Sequence, residues 1–246
     1  MIIVPNRQAW KQQPQYPASV KRINLPLVYG GGSSPAICWS AITQNFELCL
    51  NKTSTTNQGS VSPGAGGIGW SGGSNPTFAS DTTYNITGGV TIFALITPSA
   101  VSADTSVISK TVSNGATNTP YDFGLNNAKG RLGLANAGGY RVWASGSNLF
   151  SAGETGVLAI ASNQAIESAP AFYKNGVFDS ATPTSLYSGG GSGVSTGNTA
   201  PVLIGNRGDG VTGFSGNIYF VVVIPGTLHG DDIRKVSQDL FQFLRP

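Results

Sequence analysis

The acidic residues are the first candidates for chemistry in this sequence. Retaining glycoside hydrolysis requires two carboxylates close together in space. The chain has eleven acidic residues, and they are scattered along it. Asp231 and Asp232 are neighbours, but they begin an amphipathic run, where carboxylates favour the first turn of a helix. No predicted strand carries two carboxylates, so we expect that the protein is not an enzyme. The alternative is that carboxylates from separate strands converge in the fold.

A Ser-His-Asp triad would have to use the single histidine, His229. This residue stands beside Gly230 at the start of the predicted C-terminal helix. A catalytic histidine is instead held between a nucleophile and a carboxylate. We therefore interpret His229 as a surface or helix-capping residue.

Three aromatic residues lie near loops rich in Asn and Ser, and they are Tyr140, Trp143 and Tyr187. Sugars stack on exposed aromatic rings, while amide and hydroxyl groups satisfy the sugar hydroxyls. These three residues are therefore the candidate glycan-binding residues. The competing interpretation is that the rings belong to a core or an interface, because β-sandwiches bury aromatic residues along alternating strands.

The composition excludes several classes of protein. Of 246 residues, 34 are Gly and only 10% are charged, which suits many short strands joined by tight turns. The apolar fraction of 39% is enough for a core, so we do not predict disorder. The formal net charge is +3, and the basic residues form no block longer than a pair such as Lys21-Arg22. Binding to a phosphate backbone needs clustered Lys and Arg, so we expect no nucleic-acid partner.

The start of the chain does not read as a signal peptide. Residues 1–4 are apolar, but Pro5 and the residues after it end the run too early for a hydrophobic signal region. No stretch approaches the roughly 20 apolar residues of a membrane span. We expect synthesis in the cytoplasm without a signal peptide, and no membrane partner.

Residues 1–30 differ in composition from the rest of the chain. They hold four prolines and no acidic residue, and because proline blocks helices we expect an extended arm. An arm with aromatic anchors and uncompensated positive charge suits docking on another surface, while the alternative is a tail that packs on its own domain. The candidate docking residues are Arg7, Trp10, Lys11, Tyr16, Lys21 and Arg22.

Cys38 and Cys49 are the only cysteines. If residues 36–42 and 45–50 pair around a two-residue turn at Thr43-Gln44, the two thiols lie directly across from each other and a disulfide is geometrically allowed. In a protein folded in a cytoplasm, reduced buried thiols are expected instead. Two cysteines and one histidine cannot complete a four-ligand zinc site without acidic ligands.

The middle of the chain predicts short strands at near-regular spacing. Asn175-Gly176 is a strong signal for a two-residue hairpin turn that follows one of them. The predicted strands lie at residues 90–97, 106–110, 121–126, 131–135, 140–144, 157–162 and 171–174.

The last forty residues predict a buried strand, a tight turn and a helix. Residues 218–224 are continuously apolar, rich in Val and Ile, and bounded by Gly and Pro, which indicates a strand covered on both faces. Ile233, Val236 and Leu240 then recur at helical spacing, so the helix should have one apolar face.

Three motifs in this sequence resemble those of laminin-G-like, concanavalin A-like jelly-roll domain proteins of tailed bacteriophages. They are Phe-x-Gly-x-Ile at 214–218, Phe-Tyr-x-Asn-Gly at 172–176, and Asn-Leu-Pro-Leu at 24–27. The resemblance implies an all-β fold, a jelly-roll β-sandwich over residues 31–246 with a short C-terminal helix. Residues 1–30 would form its extended N-terminal arm.

The resemblance also implies a function. Such a protein is expected to be a non-enzymatic virion structural protein, either a capsid decoration protein or a tail or fibre component. Its arm would anchor it to other virion proteins and sister subunits, and the lectin-like sandwich would be displayed at the virion surface. The alternative function is that of a carbohydrate-binding adhesin, whose partners are host or environmental glycans.

A calcium site is a further implication of the resemblance, since laminin-G-like domains often hold one ion at a rim of the sandwich. Asn206 and Asp209 are the candidate ligands, with Asp104 or Asp122 as helpers. A loop rich in Asn, Asp and Gly is also typical of a simple turn. Apart from this candidate we expect no cofactor.

Overall fold

The computed structural model describes residues 36–40, 46–47, 56–57, 63–64, 67–70, 76–77, 82, 84–111, 117–210 and 212–242. Within them it contains seventeen strands and one helix. The predicted arm, with its candidate docking residues, lies outside the described part. The elements are β1 Ile37–Ser40, β2 Phe46–Glu47, β3 Thr56–Asn57, β4 Pro63–Gly64, β5 Gly67–Trp70, β6 Pro76–Thr77, β7 Val90–Pro98, β8 Asp104–Ser109, β9 Thr119–Asn126, β10 Lys129–Asn136, β11 Gly139–Ala144, β12 Gly156–Ser162, β13 Ala171–Lys174, β14 Val177–Phe178, β15 Thr184–Ser188, β16 Leu203–Ile204, β17 Gly216–Pro225 and α1 Gly230–Gln242.

These strands form two antiparallel sheets. The nine-stranded sheet has the order β14-β13-β12-β7-β17-β1-β2, with β5 also paired to β17 and β4 paired to β5. The eight-stranded sheet has the order β15-β11-β10-β9-β8-β16-β6-β3. Strands that are far apart in sequence lie side by side, as in a jelly roll. The predicted β-sandwich with a short C-terminal helix is confirmed.

The main core lies between the two sheets. Ile92 and Ile96 of β7 face it from one side, and Tyr121 and Phe123 of β9 face it from the other, all fully buried. Side chains alternate between the two faces of a strand. Asp122, which lies between Tyr121 and Phe123, therefore points to the outer face of the eight-stranded sheet.

Helix α1 covers the outer face of the nine-stranded sheet. Ile233, Val236 and Leu240 are fully buried on one side of the helix, in a second apolar cluster that includes Phe93 of β7 and Val222 of β17. β17 thus lies between β7 and β1 and is covered by the main core on one face and by the helix on the other. The predicted strand with two buried faces is confirmed.

The Asn175-Gly176 turn joins β13 to β14 as predicted. Both residues have positive φ, 52° and 79°, which is the conformation that type I′ hairpin turns require. The Asn175 side chain accepts a hydrogen bond from the Val157 backbone N–H at 2.8 Å. A Cβ at Gly176 would lie 2.6 Å from Cα of Arg234. The turn therefore needs glycine both for its backbone conformation and for its approach to helix α1.

Gln164 is a fully buried amide that joins three segments of the chain. Its side-chain nitrogen donates to the carbonyl oxygens of Ile86 at 2.7 Å and Pro120 at 2.8 Å. Its side-chain oxygen accepts from the Gly89 backbone N–H at 3.1 Å. These bonds satisfy backbone groups that precede β7 and begin β9, so one side chain ties the two sheets together.

The register of β1 and β2 differs by one residue from the predicted hairpin. Trp39 pairs with Glu47 and Ser40 with Phe46, whereas the prediction placed Cys38 directly opposite Cys49. A one-residue shift in register moves side chains to opposite faces of a sheet. Cys49 lies outside the described residues, so the state of the two thiols stays a prediction.

Candidate functional site

The outer face of the eight-stranded sheet carries the side chains that could bind a ligand. The strand register places Tyr187 of β15 opposite Val142 of β11, Val142 opposite Gly133 of β10, and Gly133 opposite Asp122 of β9. These four residues form one row across the sheet. The row runs from an exposed aromatic ring, past a position without a side chain, to a buried carboxylate. We call this surface the outer face.

Tyr187 and Tyr140 are the aromatic residues of the outer face. Tyr187 is 49% exposed, whereas Val142 opposite it is only 4% exposed. Tyr140 lies two residues from Val142 on the same strand and therefore shares its face. A Cβ at Gly189 would lie 2.3 Å from the Tyr140 ring. The absence of a side chain at Gly189 is thus what allows the Tyr140 ring to lie where it does.

Trp143 is not part of the outer face, although the sequence suggested it as a third glycan-binding residue. It belongs to the core between the sheets and is 9% exposed. Its indole N–H donates to the Ile166 carbonyl oxygen at 3.1 Å, and the Arg141 guanidinium lies 5.3 Å from its ring centroid. The competing interpretation, that an aromatic of this set belongs to the core, is correct for Trp143. The two tyrosines are brought together without it.

A buried group of charges lies beside the tyrosines, and we call it the arginine–aspartate cluster. Arg131, which is 1% exposed, pairs through Nε with Asp104 at 2.9 Å and through Nη2 with Asp122. Arg207 pairs through Nη2 with Asp209 at 2.9 Å, and its Nη1 lies 3.6 Å from Asp122. Buried charges are costly unless they are paired, and here each guanidinium has carboxylate partners.

The chain positions Arg207 through a loop between β16 and β17. Gly205 has a φ of 80°, and its carbonyl oxygen accepts from the Phe214 N–H at 2.8 Å, which closes the loop. The Ser106 N–H of β8 donates to the Thr212 carbonyl oxygen at 2.8 Å. The loop therefore lies against the outer face, and Arg207 reaches the carboxylate of Asp122.

The charges of the cluster affect one another. Burial raises the pKa of Asp104, and the attraction of Arg131 opposes that rise without cancelling it. Burial alone would lower the pKa of Arg131, but Asp122 and Asp104 outweigh burial and raise this pKa further above its ordinary value. Arg131 is therefore a permanent cation.

The candidate calcium ligands lie in this cluster. Asn206 Oδ1 accepts from the Arg207 backbone N–H at 2.8 Å, and the Asp209 carboxylate is paired with the Arg207 guanidinium. The possible helpers Asp104 and Asp122 are paired with arginine as well. Within the part of the chain that the structure describes, no group of three or more His, Cys, Asp and Glu side chains has the arrangement to hold a metal ion. Calcium binding at Asn206 and Asp209 stays a prediction.

Sequence reasoning missed Arg131 and Arg207. Each is a single arginine among small or apolar neighbours, and such a residue in a strand or loop is normally exposed. The sequence does contain one signal for Arg131, which is the alternation of polar and apolar residues along the strands. Arg131 and Asp122 alternate with the apolar residues of β10 and β9, so both belong on the face opposite the core, where they can pair.

The convergence of carboxylates from separate strands is the arrangement that would suit a glycosidase. In this cluster, however, Asp122 is 3% exposed, and its two oxygens accept from Ser106 Oγ at 2.6 Å and from Arg131. Asp104 is held by Arg131 and by a hydrogen bond with Asn126. These carboxylates serve as ion-pair partners, and neither is free to act on a glycosidic bond.

Residues 69–73 read Gly-Trp-Ser-Gly-Gly, which matches the nucleophile-elbow pattern Gly-x-Ser-x-Gly. Such an elbow joins a strand to a helix in an α/β-hydrolase sheet, whereas here it follows β5 of a sandwich. Ser71 lies outside the described residues. His229 is exposed, and its carbonyl oxygen accepts the Ile233 N–H at 3.0 Å as the first bond of helix α1. His229 therefore caps the helix, as predicted.

A cleft of about 330 Å³ lies elsewhere on the sandwich. The Lys174 ammonium in it pairs with Glu154 at 2.5 Å and lies 5.2 Å from the Phe150 ring centroid. Phe150 itself is only 3% exposed. The cleft therefore has an aromatic ring in its wall but no open ring face, and the outer face is the better candidate site. Residues lining the cleft include Val101, Ala128, Leu149, Phe150, Glu154 and Lys174.

Comparisons with known proteins identify the fold but no family, since no family model and no curated protein matches the sequence. Domain 4 of AbnA, a GH43 extracellular arabinanase from Geobacillus stearothermophilus, solved in complex with arabinotriose, matches with a TM-score of 0.57 and 14% identity over 84% of this chain and 99% of that chain. The receptor binding domain of botulinum neurotoxin C/D mosaic serotype matches with a TM-score of 0.56 and 11% identity over 86% of this chain and 52% of that chain.

Trypanosoma rangeli sialidase in complex with 2,3-difluorosialic acid matches with a TM-score of 0.54 and 12% identity, over 89% of this chain and 35% of that chain. The chain thus spans about half the length of the neurotoxin domain structure and about a third of the sialidase. At such identities the likeness shows a shared β-sandwich fold.

Among the described residues, α1 is too short and too polar to cross a membrane.

Proposed function

We propose that this protein is a non-enzymatic carbohydrate-binding module and that the glycan lies on the outer face of the eight-stranded sheet. The observation that carries this proposal is the half-exposed ring of Tyr187, which stands at the edge of a face of small residues beside fixed polar groups. Aromatic rings with an open face and convergent hydrogen-bonding groups are what a sugar requires.

The position of the Tyr187 ring follows from its neighbours. Tyr187 lies opposite Val142 in the strand register, and it is close enough to Arg131, one strand further on, to raise the pKa of that residue. Val142 is only 4% exposed although it lies on the outer face, whereas about half of the Tyr187 side chain is open to solvent. The exposed part of Tyr187 is the surface that we assign to a sugar ring.

The matched structures support this class of function without identifying the ligand. One of them is a domain solved with arabinotriose, and two others are described as a receptor binding domain and a binding domain. This chain shares their fold at 11% to 14% identity. Their ligands are properties of those proteins, and for this chain glycan recognition rests on Tyr187 and the residues around it.

The test is a glycan array probed with the purified protein, followed by titration of the glycans that bind. Tyr187→Ala removes the stacking surface and should weaken binding by at least about fivefold, since stacked aromatic contacts contribute on the order of 1 kcal/mol or more. Tyr187→Phe keeps the ring and should retain most of the affinity. Gly133→Ala should also weaken binding, because its added Cβ would meet Asp122 at an ordinary 3.5 Å and would reduce the space on the outer face.

The control is Phe178→Ala, which removes a ring of similar exposure, 56%, from the edge of the other sheet. Equal loss of binding in Phe178→Ala and Tyr187→Ala would contradict the proposed site. A glycan that binds should be recovered uncleaved, and release of reducing ends by the wild type but not by Asp104→Asn would contradict a non-enzymatic role.

We also propose, from the sequence resemblance, that the module is displayed on a phage particle through residues 1–30. The candidate anchoring residues are Arg7, Trp10, Lys11, Tyr16, Lys21 and Arg22, whose aromatic rings and uncompensated charge suit docking on a neighbour. A protein that lacks residues 1–30 should bind glycans like the wild type and should be absent from purified particles. Normal incorporation of the shortened protein would contradict the anchoring role.

A further inference from the structure

We propose that the outer face selects neutral glycans over acidic ones. This inference rests on the proposed function and gives the chemical class of its ligand. An acidic sugar, with a carboxylate or a sulfate, is normally held by a guanidinium or ammonium group that is free to pair with it. The question is therefore whether the cations on this face are free.

The two guanidinium groups of the outer face are already paired. Arg131 is held between Asp104 and Asp122, and Arg207 between Asp209 and Asp122. Both arginines are more than nine-tenths buried. An acidic sugar could reach either one only by displacing a protein carboxylate from a desolvated ion pair, and breaking such a pair is strongly unfavourable.

The formal charge of the cluster also opposes an anion. It contains two guanidinium groups and three carboxylates, which leaves one negative charge. The carboxylate of Asp209 is the most open of the ion-paired groups around Arg207, with 21% of its side chain accessible. An anionic ligand that approached from the solvent would therefore meet a carboxylate before it met a cation.

Two further basic residues lie on the described strands of this sheet, and they do not change this result. Lys129 shares the face of Arg131 but lies at the end of β10, where its ammonium donates to the Gly146 carbonyl oxygen at 3.1 Å. Arg141 points to the opposite face of β11, where it lies over Trp143 and donates to Ser188 Oγ at 3.3 Å. Neither cation lies beside the Tyr187 ring.

The groups that do remain for a ligand suit hydroxyls. The phenol groups of Tyr187 and Tyr140 both donate and accept hydrogen bonds. An apolar ring face with mixed donors and acceptors matches a neutral sugar.

The experiment uses the full-length protein and an array of matched glycans, such as lactose with its 3′-sialyl and 3′-sulfo derivatives and the corresponding pairs for other neutral sugars. Neutral members that bind should do so at least about tenfold more tightly than their acidic partners. Their affinity should change less than about twofold between 50 and 500 mM NaCl, since screening acts on charged contacts. Equal or tighter binding of acidic members would overturn the inference while leaving the proposed function intact. If no glycan binds, the proposed function fails and the inference with it.

A variant tests the cause of the preference. Asp209→Asn removes one carboxylate from Arg207 and brings the formal charge of the cluster to zero, so the ratio of acidic to neutral affinity should rise several-fold. Asp231→Asn is the control, because this substitution makes the same change in net charge away from the site. Asp231 pairs with Arg234 on helix α1 at 3.0 Å. An identical ratio in both variants would show that the cluster does not exclude acidic sugars and would overturn the inference.

Discussion

At the scale of single residues, the most unusual feature is Arg131, a charged side chain with 1% exposure inside a sandwich of low charge. Its neighbours explain how burial is tolerated, since Asp104 and Asp122 satisfy the guanidinium on two sides. A buried ion pair contributes little net stability by itself, but it becomes costly when one partner is lost. The two charges of such a pair are therefore best regarded as mutually dependent.

We expect Arg131→Leu to lower the free energy of unfolding by about 3–5 kcal/mol, because it leaves buried carboxylates unpaired. The measurement is urea denaturation at neutral pH. Arg234→Leu is the matched control, since Arg234 is 60% exposed and pairs with an almost fully exposed Asp231. Such a surface pair is worth less than about 1 kcal/mol, so similar losses in the two variants would contradict the role of burial.

Asp104 gives the cluster a dependence on pH. Burial raises its pKa above the ordinary value of 3.8, so the folded state binds a proton more tightly than the unfolded state. The stability of the wild type should therefore fall relative to Asp104→Asn as the pH rises from about 4 through the raised pKa. Urea denaturation of both proteins in steps from pH 4 to pH 8 measures this difference. A difference that grows in the opposite direction would contradict the raised pKa.

The same residues mark the limit of prediction from sequence at this scale. Tyr140 and Tyr187 could be named as ligand-binding candidates from their type and loop context, but Trp143 could not be separated from them. Tyr140, Val142 and Ala144 alternate with Arg141 and Trp143, and either set could face the core. A shift in register between β11 and β15 next to Val142 also breaks simple alternation, so which face Tyr187 occupies cannot be counted from the sequence.

At the scale of elements, turn chemistry and hydrophobic periodicity predicted most of the fold. The strands around 90–97 and 171–174, the turn at Asn175-Gly176 and the final helix were all within reach, because local residue types determine them. The pairing order of the strands was not, because the register between distant strands depends on contacts that no local pattern encodes. The one-residue difference between β1 and β2 is an example of that limit.

The hairpin turn offers a clean test of element packing. Gly176→Ala should destabilise the protein by roughly 2–4 kcal/mol, because it adds a clash with Cα of Arg234 at 2.6 Å to the strain of positive φ. Gly153→Ala has the same φ of 79° but nothing within 4 Å of the added Cβ. It should cost only the strain, about 1 kcal/mol. Thermal or urea denaturation that gave equal losses would mean that the approach of helix α1 is unimportant.

At the scale of the whole molecule, the protein is built in three layers, which are the eight-stranded sheet, the nine-stranded sheet and helix α1. Two apolar clusters fill the spaces between them. Gln164 adds a polar link through the main core, since it binds backbone groups at the starts of strands from both sheets. Nothing in the sequence distinguished this glutamine from an ordinary loop residue, because its role depends on three partners that are far away in the chain.

We expect Gln164→Leu to lower the free energy of unfolding by about 2 kcal/mol or more, because the buried Gly89 N–H and Ile86 carbonyl oxygen would lose their partner, at about 1–3 kcal/mol for each group. The Pro120 carbonyl oxygen would keep its hydrogen bond from Ser195 Oγ at 3.3 Å. Hydrogen exchange provides the specific readout. The Gly89 amide, which donates to Gln164, should exchange much faster in the variant, while amides in the centre of β17 should lose only the protection that follows from global stability. Unchanged exchange at Gly89 would contradict the role of Gln164 in joining the sheets.

Helix α1 covers the outer face of the nine-stranded sheet, and the two tyrosines lie on the eight-stranded sheet, so the molecule has a back and a front. A tether attached to the solvent-exposed side of the helix, for example at Arg234, would hold the protein on the side opposite the tyrosines and leave them accessible. A tether at Ser188 would hide them. The position of helix α1 therefore determines how the domain must be attached to a sensor chip, or to any larger scaffold, if sugars are to reach the tyrosines.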